Sequence, residues 1–140
     1  MDDLIVKTIT RLITPFIMLY GIYTILNGHL SPGGGFAGGA ILSASIILHT
    51  LVFGIQNASK LVTPKASSIM ESGGILVYLF IGLAGIILGN NFLTNIQAGF
   101  FAGTTGSIIS AGFIPVLTVA IGVKVASTMI SIFHKLIGEE

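Results

Sequence analysis

Apolar residues gather into four long runs, at about residues 4–26, 36–54, 73–92 and 108–133. Each run is near the ~20 residues that a helix, rising ~1.5 Å per residue, needs to cross a hydrocarbon layer ~30 Å thick. Backbone inside lipid must satisfy its own hydrogen bonds, and the runs lack the two-residue alternation of barrel strands, so the pattern predicts helices. The expected fold class is an all-α membrane protein with four transmembrane helices in a single membrane domain over residues 1–140. The first run is longer than the apolar stretch of a signal peptide, contains Arg11 and is followed by similar runs, which predicts a retained helix.

The three connections differ in character. Residues 27–35 (NGHLSPGGG) are uncharged and glycine-rich, and residues 56–72 are polar and carry Lys60, Lys65 and Glu71. Residues 90–107 hold no charge and are apolar enough to lie in the interface or re-enter the membrane.

Composition narrows the class further. Charged residues make up 8% of the chain, against roughly 25% in soluble domains. A net charge of +1 gives no basic patch for nucleic acid. Cysteine is absent, which removes disulfides, thiol chemistry and zinc–thiolate sites. Lys7, Arg11, Lys60, Lys65 and Lys135 fall on the side shared by both termini and the 56–72 connection, while the other connections hold no Lys or Arg. The positive-inside rule therefore predicts cytoplasmic N- and C-termini.

Lys7 and Arg11 lie near the start of the first run, and Lys124 is the charge set deep inside an apolar run. It is expected roughly 13 Å deep, at ~1.5 Å per residue from the cytoplasmic end of its helix, where a charge costs about 2.5–3.5 kcal/mol on insertion scales. Two readings stay open: a charge facing an ion path, and a lysine that snorkels to the surface or pairs structurally. No carboxylate is expected at matching depth, so an ionic partner would come from another chain. Lys7 and Arg11, four residues apart on one helix face, read as topology anchors.

His49 reads either as a helix–helix hydrogen-bonding residue or as a proton relay, making it the second ion-path candidate. His29 lies in the glycine-rich turn and His134 at the cytoplasmic boundary, and none of the three has the paired spacing of a metal site. Glu71, expected just before the third helix, is placed to cap its positive end. Pro15 and Pro115, expected inside the first and fourth helices, can kink them.

The stretch GHLSPGGGFAGG lacks the Lys-Ser/Thr that completes a phosphate-binding loop. Its Gly34/Gly38 and Gly35/Gly39 pairs instead predict close helix packing. All five Asp and Glu are expected at the termini or in the 56–72 connection, which equips the chain poorly as an antiporter on its own. No nucleophile–base or metal-ligand cluster can be assembled, so neither an enzyme nor a cofactor nor a metal is expected.

The segment KTITRLITPFIMLYGIYTILNGHLSPGGGFAGGAILSASIIL, above all GHLSPGGGFAGG, resembles the MnhB or MrpB family, the B-type subunits of the Mrp-type multisubunit Na+/H+ antiporters. The likeness extends more loosely through the remaining helices. It implies a small subunit of the bacterial cell membrane, without a cofactor, partnered with other Mrp antiporter subunits in a hetero-oligomeric complex. That complex exports Na+ in exchange for H+, with the proton channels in large subunits similar to those of respiratory complex I. The resemblance singles out His29, Pro32, Gly33, Gly34, Gly35, Phe36, Gly38 and Gly39 as the signature turn. Energy-converting hydrogenases carry similar subunits, so a structural subunit of such a membrane arm, or of a complex I-like assembly, is the alternative.

Overall fold

A computed structural model describes residues 2–30, 33–88, 91, 92 and 112–138. Pro32, most of the third connection and residues 108–111 lie outside the described residues. The helices in chain order are α1 (Asp2–Leu26), α2 (Gly34–Phe53), α3 (Ile55–Leu61), α4 (Pro64–Ile87) and α5 (Ile114–Gly138). Among the described residues α1, α2, α4 and α5 are the four that are long and apolar enough to cross a membrane, and the chain is a multi-pass membrane protein.

The long helices pack in the spatial order α1, α2, α5, α4. Close contacts fix their directions. Gly21 of α1 meets Leu42 and Gly38 meets Ile25, so α1 and α2 are antiparallel. Gly35 and Gly39 meet Thr118 and Gly122, and Thr50 meets His134 further along, so α2 and α5 run parallel. Ser67 meets Ser131 while Gly74 meets Lys124, so α4 returns antiparallel to α5.

The interior is small, mixing hydroxyls and small residues with a few buried apolar side chains such as Ile25 and Ile130, and most large apolar side chains point outward. Ser43, Ser45 and Ser127 are the largest fully buried side chains, whereas Leu12, Phe16, Phe80 and Ile87 are exposed. Lipid tails are as apolar as leucine, so burying leucine gains little, and small residues instead let the backbones approach. Several buried hydroxyls are satisfied within their own helices: Thr14 donates to Thr10 O at 2.7 Å, Ser45 to Leu42 O at 2.6 Å and Thr118 to Ile114 O at 2.8 Å.

The structure corrects several boundaries. The third run was expected to begin near residue 73, but α4 begins at Pro64. Thr63 caps it, accepting from Ala66 N at 3.2 Å, and Pro64 occupies the first turn, where its missing N–H is no loss. Much of the expected 56–72 connection is therefore helical, as α3 and the start of α4. Glu71 is the eighth residue of α4 and does not cap it. The expected extension to residue 92 is not helical, because α4 ends at Ile87 and Asn91 and Phe92 lie beyond it. α5 continues past residue 133 to Gly138, and Pro115 is its second residue rather than an internal kink. Pro15 does lie inside α1.

Candidate functional site

The signature turn positions α2. Asn27 O accepts from Leu30 N at 3.0 Å, and Gly33 (φ 138) and Gly34 (φ 90) then take backbone angles that side chains rarely adopt. The two predicted packing pairs separate into different jobs. A Cβ on Gly35 would fall 2.5 Å from Thr118 O, and one on Gly39 would fall 2.6 Å from Gly122 O, so this pair seats α2 on α5. Gly38 faces α1, where a Cβ would collide with Ile25 and lie 3.0 Å from Gly21 O. Gly34 meets nothing within 4 Å and serves the turn alone. Phe36 is exposed and His29 half-buried in the turn.

Lys124 is the eleventh of the 25 residues of α5. At ~1.5 Å per residue it lies roughly 15 Å from one end of the helix and 21 Å from the other, nearer the middle than expected. It is half-buried. Gly74 of α4 backs onto it, since a Cβ there would sit 2.8 Å from Lys124 Cβ. Lys124, Gly74, Ile75, Tyr78 and Ile121 line a cavity of about 130 Å³.

A carboxylate lies on the same seam, about one helical turn from the depth of Lys124. The Thr128 hydroxyl, one helical turn from Lys124, donates to Glu71 Oε1 at 3.0 Å. Glu71 is therefore only about 6 Å from Lys124 along the α5 axis.

Polar side chains continue along the α4–α5 seam towards the end that bears the C-terminus. Ser67 Oγ donates to Ser127 O at 3.0 Å, which uses its single proton. Ser131 Oγ must then donate to Ser67 Oγ across their 2.6 Å contact. The same logic orients His134. Thr50 Oγ1 spends its proton on Ile46 O at 2.8 Å, so it accepts from His134 Nε2–H at 3.2 Å. The neutral ring then carries no proton on Nδ1. Ser67, Ser68, Glu71, Ser131, His134 and Lys135 contribute to the lining of a cavity of about 340 Å³.

The two predicted ion-path candidates are not brought together. His49 stacks on Phe53 with ring centroids 4.5 Å apart, and Arg11 lies 5.6 Å from the centroid of the same ring. His49 thus belongs to a cluster on α1 and α2, and the histidine on the polar seam is His134. Sequence reading missed Glu71, Thr128 and His134 as companions of Lys124. The signal was present in α5 as polar residues at positions 124, 127, 128, 131, 134 and 135, the three- and four-residue spacing of one helix face.

Four long apolar helices packed through small and polar side chains define a multi-pass helical membrane protein. The chain belongs to the MnhB family: residues 5–131 match the domain related to the MnhB subunit of Na+/H+ antiporter. It is 36% identical over 100 residues to the B subunit of the Na+/H+ antiporter of Bacillus subtilis, covering 71% of this chain and 68% of that one. It is 37% identical over 124 residues to a protein of Methanocaldococcus jannaschii, covering 86% of this chain but 47% of that protein. Among solved structures it resembles a chain of the membrane-bound sulfane sulfur reductase, an archaeal respiratory membrane complex. That likeness has a TM-score of 0.79 at 32% identity, covering 94% of this chain and 56% of the other. The chain thus spans about half the length of the archaeal proteins it matches.

Proposed function

We propose that this chain is the MnhB-type membrane subunit of a multisubunit Na+/H+ antiporter, contributing helix faces to assembly and lining part of an ion path. The observation that carries this reading is Lys124, midway along α5 with Glu71 one turn away on the facing helix. Intramembrane charges cost several kcal/mol and are retained chiefly where an ion or proton pathway needs them. The protein sits in the cell membrane with both termini cytoplasmic, because Lys7, Lys60, Lys65 and Lys135 gather at one end of the bundle. Other antiporter subunits are its partners, Na+ and H+ cross the complex, and the chain needs no catalytic site or cofactor of its own.

The test replaces Lys124 with alanine in the whole complex. Na+-dependent proton exchange in vesicles is expected to fall while native gels still show assembly. Unchanged exchange would remove Lys124 from the path.

The likeness to the respiratory complex chain favours a second reading, a structural subunit in the membrane arm of such an assembly or of an energy-converting hydrogenase. Subunits that co-purify with the tagged chain separate the two: antiporter subunits support the first, hydrogenase or reductase subunits the second.

A further inference from the structure

The cavity between α3, α4 and α5 has more organisation than helix packing requires. Its lining combines a carboxylate, an imidazole and an ammonium group with the hydroxyls of Ser59, Ser67, Ser68 and Ser131. About 340 Å³ is room for several water molecules, each of which takes up about 30 Å³ in the liquid, and polar walls supply the hydrogen bonds that buried water needs. Purely apolar voids stay dry. The larger α4–α5 groove of about 550 Å³, lined by Met70, Gly73, Val77, Val119 and Val123 among others, is of that apolar kind.

We propose that the polar cavity is a water-filled proton entrance, and that Glu71 is the group it loads. The carboxylate is set up for this. Oε1 holds the Thr128 hydrogen bond, and that bond is compatible with both the ionised acid and an acid protonated on Oε2. Loading transfers a proton from hydronium in the cavity to Oε2, leaving water and a neutral carboxyl; unloading reverses the step, and no electron changes hands. Among the described residues, the other titratable groups lining the cavity come from α5, His134 and Lys135; Lys124, one turn deeper on the same helix, lines a separate cavity. α3 contributes only Ile55 and Ser59 to the lining. His134, also lining the cavity, is held by Thr50 through Nε2.

The exchange arm of the test rests on the antiporter reading above, whereas the labelling arm does not. The chain has no cysteine, so Ser131→Cys introduces its sole thiol, and Val119→Cys in the apolar groove serves as the comparison. Both are treated, in the assembled complex, with a charged, membrane-impermeant thiosulfonate, and adducts on this chain are read by mass. Only the thiolate reacts, and an apolar site that raises a thiol pKa by one unit removes about nine-tenths of it. Ser131→Cys is therefore expected to react at least about tenfold faster than Val119→Cys. Equal or slower reaction at Ser131→Cys overturns the proposal, because the cavity is then dry or filled by another protein of the complex.

In vesicles, Glu71→Gln is expected to lose proton exchange at every pH, while Glu71→Asp keeps it with a shifted pH profile. If the unsubstituted complex exchanges and Glu71→Gln matches it at all pH values, Glu71 is not the loaded group and the proposal fails. A loss that appears only as weaker Na+ dependence, with proton flux intact, also overturns it and makes the site a sodium site. If the unsubstituted complex shows no exchange, the antiporter reading fails instead. Should Glu71→Gln not assemble, the labelling ratio decides alone.

Discussion

Replacing Gly39 with alanine measures how closely α2 and α5 are seated. The new Cβ would lie 2.6 Å from Gly122 O and 3.0 Å from Val125 Cβ. Carbon–oxygen contacts between helices settle at about 3.3–3.6 Å, so the helices must part by roughly 0.7 Å. A gap of that size forfeits about a quarter to a half of each van der Waals well it touches, and overpacked sites lose about 1–3 kcal/mol in total. Alanine also returns about 1 kcal/mol of helix propensity. Gly73 of α4 isolates the clash, because a Cβ there meets nothing within 4 Å and the same propensity gain applies. Gly39→Ala is therefore expected to be less stable than Gly73→Ala by about 1–3 kcal/mol. At about 1.4 kcal/mol per decade, this is on the order of a five- to hundred-fold difference in the unfolding constant. Unfolding in detergent micelles titrated with a denaturing detergent, followed by circular dichroism, reads it. Equal stability of the two variants would refute the close seating and the packing role of the Gly35/Gly39 pair.

Other outcomes follow from single contacts. Gly34→Ala has open space yet must hold φ 90, so it is expected to lose about 1–3 kcal/mol in the same titration. Thr50→Val removes the acceptor from His134 Nε2–H and is expected to cost about 1–3 kcal/mol. Thr14→Val gives up only the bond to Thr10 O within its own helix and should cost less than Thr50→Val. Thr63→Ala removes the α4 cap, with an expected loss of ~1 kcal/mol and faster hydrogen exchange at the Ala66 amide.

The four spans were legible because length and uninterrupted apolarity are all that a spanning helix must show. The start of α4 was not, since Lys65, Ser67 and Ser68 broke the apolar run while the backbone continued as helix from the Thr63–Pro64 signal. That one boundary hid the place of Glu71. Its closeness to Lys124 also needed the antiparallel register of α4 on α5, set by Gly74 and Ser67 against positions far away in the chain. The glycine pairs could be read as packing faces, but which helix each face meets could not. His49 and His134 were ranked by depth alone, and in helices that are apolar almost all round, composition does not say which side faces a neighbour. The family likeness, by contrast, rested on a contiguous motif and needed no register at all.

If this chain is a working part of a Na+/H+ antiporter, the complex should not function without it. The most direct test assembles the complex with and without the chain and measures Na+-dependent proton exchange in the same vesicles. Exchange is expected to be lost without the chain and to return when it is supplied. Full exchange in its absence would contradict that role.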